Sequence, residues 1–460
     1  MGKAGQALRQ ILDSYSISQS QLAIGLGVER PIFFRWFHEQ TDPTAETVAE
    51  IVQALHNINS SAAKDFVQAY LGSLTHTPQT ASTQELPQSE RVNIGVLAQI
   101  FNNTTNSYKY LFFLSLLDIL KRRYFDTLSP ISFEEIIIEM LANAWYPHNY
   151  FKLSFGTQDQ ITHKLDSLEL EITEPILKFR DTDKKLLRKA IQSQYLEDII
   201  AFIGKYVPFR LIRPFFAQET RGLLDAKVNQ TIINLANNLF EEIKPVYCFN
   251  YLSLKDCNAI ILHQDWVEYI SENYSIVRSW VSWKWLGYMQ KCNPSVPAVS
   301  NKLFPPQKRE SLTSQTKFWK LVLENTEVRC IYSNLVLTTD NLSLDHYLPW
   351  SFVAHDQLWN LIPTIPSVNS SKSNNIPSID QYFQKFIELQ YLGLTISNNL
   401  MNENQWNKYI EPYLADLKID RNNLLNIIIL RKAYESTVIP LISLAINQGF
   451  VADWLYLTSR

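Results

Sequence analysis

LDHYLPWSFVAHDQLWNLIPTIPSVNSSKSN, residues 344–374, is the stretch on which the reading of the fold turns. Its apolar groups come in short pieces broken by Asn, Asp, Pro and Ser, unlike the helical spacing on either side. Leu342 to His346 reads as one short strand and Asn360 to Ile362 as a second. A helix is expected to begin near Pro366 or Ser367, because proline is tolerated in a first helical turn. Asn360 lies 14 residues beyond His346 and Asn369 lies 23 beyond it. Strand, long loop, strand and helix can then bring Asp345, His346 and Asn369 onto one small surface.

Each residue type has a chemical use there. Asp345 is a hard anionic oxygen ligand suited to Mg²⁺ or Mn²⁺. Asn369 offers a second oxygen. Neighbours on a strand face opposite sides, so His346 suits a general base better than a ligand. A metal between them would neutralise charge on a scissile phosphate and a leaving 3′ oxygen. Lys372 is expected to approach a neighbouring phosphate oxygen. Asn360 is expected to tie the loop to the strand through backbone hydrogen bonds. His355 and Asp356, in the intervening loop, read as capping and loop-packing groups, with approach to the metal as the alternative.

The ordered set Asp345-His346, Asn360, Asn369 and Lys372 resembles the catalytic core of HNH endonucleases, the ββα-metal fold. The final position is Asn, similar to the HNH domain of CRISPR effector nucleases. The resemblance implies metal-dependent hydrolysis of a DNA phosphodiester, with 5′ phosphate and 3′ hydroxyl products. It implies catalytic roles for His346, Asn360 and Lys372, metal ligation by Asp345 and Asn369, and Mg²⁺ or Mn²⁺ as cofactor. Many family members carry two C-x-x-C knuckles around this core. Here Cys330 is followed by Ser333 and there is no second pair, so no structural zinc is expected. Trp350, Phe352 and Trp359 are expected to supply packing in its place, with Cys330 a small buried group.

Residues 18–37, SQSQLAIGLGVERPIFFRWF, carry a second pattern. Ser18 can cap a helix bearing Leu22, Ala23 and Leu26. Gly25 and Gly27 supply a tight turn, and Pro31 fits the first turn of a helix from about Glu29 to His38. Ile32, Trp36 and Phe33 would face its core, leaving Arg30, Phe34 and Arg35 outward. On Gln21, Leu22, Ala23, Gly27, Val28, Trp36 and Pro43 this resembles the helix-turn-helix domain of phage-repressor-like regulators. Their second helix enters the DNA major groove. Yet residues 1–72 hold five Lys/Arg against seven Asp/Glu, which weakens any counterion-release contribution.

The whole chain is 460 residues long with a formal net charge of -3 and only 12 glycines. That balance excludes disordered, collagen-like and histone-like classes. Aromatic residues make up 12%, suiting a large, mainly helical core. The expected fold class is mainly α: a helix-turn-helix domain at 1–72, a linker at 73–92, a helical region at 93–326, the HNH core at 327–378 and C-terminal helices at 379–460. Between Arg278 and Arg329 nine Lys/Arg meet three Glu, so a basic approach including Lys308 and Arg309 is expected to track a duplex. Four cysteines without C-x-x-C spacing suit a reducing compartment, and no apolar run suits a membrane span, so a cytoplasmic protein is expected. The leading expectation is a DNA endonuclease in bacterial defence against foreign DNA, acting on double-stranded DNA. The alternatives are a transcriptional regulator with an inactive HNH remnant, and a nuclease controlled through its N-terminal domain by a protein partner or a second copy.

Overall fold

The computed structural model describes residues 3–15, 17–71, 86–102, 104–168, 170, 181–305 and 310–457. It divides into two compact units, Met1–Gln84 and Glu85–Arg460. Among the described residues no helix is long and apolar enough to cross a membrane.

The first unit is built from α1 (Lys3–Tyr15), α2 (Gln19–Leu26), α3 (Arg30–Phe37), α4 (Ala45–Ile58) and α5 (Ser60–Leu71). Leu8, Leu22, Phe33, Ile51, Leu55 and Phe66 close its core. A reciprocal capping box starts α2: the Ser18 hydroxyl accepts from the Gln21 N–H at 3.2 Å, and Gln21 Oε1 accepts from the Ser18 N–H at 3.0 Å. Gly27 ends the helix at φ 67°, where a side chain would be strained, and its N–H returns to Ala23 and Ile24. Gly25 is not part of that turn; it lies inside α2, where an added Cβ would meet Ala54 at an ordinary 3.6 Å. α3 buries Phe33, Trp36 and Phe37, whereas Ile32 is only half-buried. Arg30, Phe34 and Arg35 are exposed.

The second unit holds two apolar cores. One gathers residues from Leu86 to Leu303 together with Trp350; the other gathers residues from Phe318 to Phe450. Leu86 and Val92 are buried in the first core, so the end of the expected linker is packed structure. The earlier part of that linker lies outside the described residues. A three-stranded antiparallel sheet, β1 (Ile131–Ser132), β2 (Tyr247–Phe249) and β3 (Ala259–Leu262), sits within the region expected to be helical, with β3 central. Such two- to four-residue strands are too short for a period-two pattern to stand out.

A buried ionic network braces the first core. Glu139, fully buried, accepts from Arg122 at 2.8 Å, Lys184 at 2.8 Å and Arg188 at 3.2 Å. Asp118 joins Lys184 at 2.6 Å and pairs with Arg278. Arg278 therefore belongs to this brace and not to a basic approach. Lys302 is fully buried, Arg329 pairs with Glu327 at 2.7 Å, and Lys308 and Arg309 lie outside the described residues. Trp280 and Trp285 are core residues, and Trp283 is exposed.

In the second core β4 (Ser343–His346) pairs antiparallel with β5 (Leu361–Thr364), with Asp345 opposite Ile362 and His346 opposite Leu361. The helix Pro366–Lys372 follows. Helices Thr313–Asn325, Gln384–Leu400, Glu403–Asp416 and Ile427–Asn447 enclose this ββα unit through Trp319, Phe386, Tyr413 and Tyr434. The unit thus shares one core with the C-terminal helices.

Candidate functional site

The strand β4 sends its two polar neighbours into different surroundings. Asp345 is 2% exposed. Its Oδ1 accepts from Lys372 Nζ at 3.0 Å and its Oδ2 from the Tyr332 hydroxyl at 2.7 Å. Lys372 is also fully buried and donates to the His346 carbonyl at 2.6 Å. Burial lowers the Lys372 pKa, and Asp345 opposes that shift. Burial and the nearby Asp345 raise the Tyr332 phenol well above its usual value. Lys372 thus ties the helix to β4 from inside, away from any position open to a phosphate oxygen.

His346 Nε2 lies 2.8 Å from Asp356 Oδ1. An ionised carboxylate only accepts, so Nε2 is the donor, and in the neutral imidazole Nδ1 then carries the lone pair. Asp356 was expected to pack the loop; the structure instead places it on the imidazole. Its loop is fastened at successive points. The Asp356 carbonyl accepts from Gln315 at 2.9 Å, and Gln390 donates to Leu361 O at 2.9 Å. Trp359 Nε1 donates to Asp416 at 2.6 Å, and the Trp359 carbonyl accepts from Tyr434 at 2.9 Å. His355 packs beside Trp359, and burial holds its pKa below the usual imidazole value. No local sequence signal marks this arrangement, because its supports lie on helices far along the chain.

Asn360 is fully buried and braces the loop at one residue: Oδ1 accepts from the Leu348 N–H at 2.8 Å and Nδ2 donates to the Leu348 carbonyl at 2.9 Å. Both ends of its amide bond backbone, and the fully buried side chain faces no open surface. Asn369 donates from Nδ2 to Ser343 Oγ at 2.8 Å and Leu344 O at 3.0 Å. Its amide orientation leaves Oδ1 outside these bonds.

The donor set does not fit a divalent cation as it stands. Both Asp345 oxygens are engaged by Lys372 and Tyr332, and an ammonium already neutralises that carboxylate. Among the described residues no group of three or more His, Cys, Asp or Glu is arranged to hold a metal.

Where a first zinc knuckle would stand, Cys330 begins a small turn. Its N–H donates to Leu335 O and its carbonyl accepts from Asn334 N, each at 2.9 Å. Cys330 is 1% exposed, with Sγ 3.2 Å from Thr364 Oγ1 on β5. Phe352 and Trp359 are buried in the same core. Trp350 departs from expectation: it packs in the other core, 6.0 Å from the Phe151 ring.

No curated protein and no solved structure matches the chain. Residues 330–378, which span the Cys330 turn, both strands, the loop and the helix, match the HNH endonuclease family and form an HNH-type nuclease domain.

Proposed function

We propose that this protein is an endonuclease that hydrolyses DNA phosphodiester bonds with His346 as general base. The observation that carries the reading is the His346–Asp356 contact at 2.8 Å inside a ββα unit of the HNH family. With Nε2 held by Asp356, Nδ1 is the ring nitrogen placed to take a proton from water. Asp356 is a positioning residue: it fixes the tautomer and the ring plane. Asn360 holds the loop against β4, and Lys372 holds the helix against it.

Dependence on Mg²⁺ or Mn²⁺ belongs to the proposal on family grounds, with Asp345 and Asn369 as the residues the resemblance assigns. The closed Asp345–Lys372 contact does not itself support it. DNA contact by the first unit is likewise proposed, on α3, where Arg30, Phe34 and Arg35 share an exposed face and Phe34 is 48% exposed. A role in defence against foreign DNA follows from pairing such a unit with a nuclease.

Supercoiled plasmid incubated with the full chain and Mg²⁺ or Mn²⁺ tests this reading, with EDTA and His346→Ala as controls. Nicking that disappears in both controls is expected. Absence of nicking across plasmid, linear duplex and single-stranded DNA, in protein that still folds, would sink it. Cleavage that survives EDTA would remove the metal requirement alone.

A further inference from the structure

The second unit contains a cavity of about 620 Å³, away from the ββα residues, lined by Lys109, Arg210, Arg213 and Arg221. Asn106 and Tyr206 also line it, and no Asp or Glu stands among its described lining residues. The cations reach it from separate elements. Lys109 is in the first turn of the helix Tyr108–Arg122, Arg210 is on the helix Val207–Ile212, and Arg213 begins the 3-10 turn that follows.

The protein holds these side chains in place largely with neutral groups. Lys109 Nζ donates to the Ile100 carbonyl at 3.1 Å. Arg213 donates to Thr220 Oγ1 at 3.3 Å and to its carbonyl at 3.4 Å. Arg210 is aimed by Asn229 at 3.1 Å and by the exposed Asp225 at 2.9 Å. Burial together with the nearby Arg213 and Arg210 charges brings the Lys109 pKa down to about 8. Converging like charges are costly, and Asp225, outside the lining, offsets part of that cost at Arg210. An anion in the cavity would offset more of it.

We propose that this cavity binds a small phosphorylated ligand of nucleotide size, its phosphate oxygens held by Lys109, Arg210, Arg213 and Arg221. Guanidinium groups match phosphate oxygens in a fork geometry, and an ammonium adds a point charge. The volume lies within the roughly 300–1,000 Å³ of small-ligand sites. A duplex backbone presents phosphates along a track, whereas these four cations meet in one concavity, which suits a compact ligand with two or more negative charges. Asn106 and Lys109, three residues apart, contribute an amide and an ammonium to the same wall.

Calorimetric titration of the full chain with pyrophosphate, ADP and adenosine tests the proposal. Pyrophosphate and ADP are expected to saturate one site, and adenosine is not. Arg221→Glu, on an exposed turn, is expected to weaken pyrophosphate binding at least tenfold without lowering the melting temperature of the free protein. Arg213→Gln is expected to weaken it as much, with at most a small drop in melting temperature from its lost Thr220 bonds. No saturable binding of pyrophosphate or ADP overturns the proposal, as does wild-type affinity in both variants. Displacement of pyrophosphate by a short DNA duplex, with duplex binding lost in the same variants, overturns it in favour of a nucleic-acid backbone site. Plasmid nicking is measured in parallel, so loss of ligand binding and loss of nuclease activity are read separately.

Discussion

The Asp345 surroundings and the basic cavity treat buried charge in opposite ways. At Asp345 a carboxylate, an ammonium and a phenol satisfy one another within 3.0 Å, and nothing is left for a ligand. In the cavity four cations converge, and no acidic side chain is among the described lining residues. Charge that the chain neutralises itself holds the fold. Charge gathered around a cavity with no acid in its described lining is open to a ligand. His346 stands between these cases, with Nε2 engaged by Asp356 and Nδ1 outside that contact.

The largest expected effect separates chemistry from architecture. His346→Ala should lower plasmid nicking by about 10²–10⁴-fold with little change in melting temperature. Lys372→Met should do the reverse of a surface change. Removing one partner of a buried pair costs about 3–5 kcal/mol, read as a drop in chemical-denaturation stability. Adding Asp345→Asn should recover part of that loss, and additive losses in the double variant would break the claim that the two charges answer each other.

Asp356→Ala should lower kcat about a hundredfold with KM little changed, because the imidazole loses its orientation. Asp356→Asn keeps an acceptor and should restore part of the rate. Equal losses in kcat for both variants would mean that the charge, not the placement, matters.

Lys302 gives a smaller effect on stability. It is fully buried, its Nζ has no hydrogen-bond partner among the described residues, and it lies 5.2 Å from the Phe352 ring. Burial brings its pKa from 10.5 down to about 7. Between those values the unfolded chain binds the proton and the folded chain does not, so stability should rise with pH across that window. Below about 7 the cost of the buried charge is fully present. Lys302→Met should flatten this slope and stabilise the protein at pH 7 by about 1–3 kcal/mol. The smallest effect belongs to the cavity: Arg221→Glu should change stability by less than about 0.5 kcal/mol, since the site serves a ligand and not the core.

Much of the ββα unit was legible in the residues themselves. The strand expected at Leu342 to His346 is observed at Ser343–His346, and the helix begins at Pro366. The second strand, expected from Asn360 to Ile362, runs from Leu361 to Thr364, and Asn360 ends a 3-10 turn instead. The Ser18 cap and the Gly27 turn were also readable, because capping and left-handed turns depend on a few adjacent residues. The partition of the large second unit into two cores was not, because long-range packing leaves no periodic mark.

By itself, then, the sequence determined the order of elements in the ββα unit and which chemical groups stand on them: a His beside an Asp on one strand, an Asn and a Lys one helical turn apart. Tertiary structure alone decided what each group meets. Tyr332 and Lys372 reach Asp345 from opposite directions along the chain, Asp356 swings onto His346, and Lys109 joins arginines about a hundred residues away. The reason is physical. Local conformation follows from backbone sterics and short-range hydrogen bonds, whereas the partner of a buried charge is chosen by whichever distant segments the apolar core draws together.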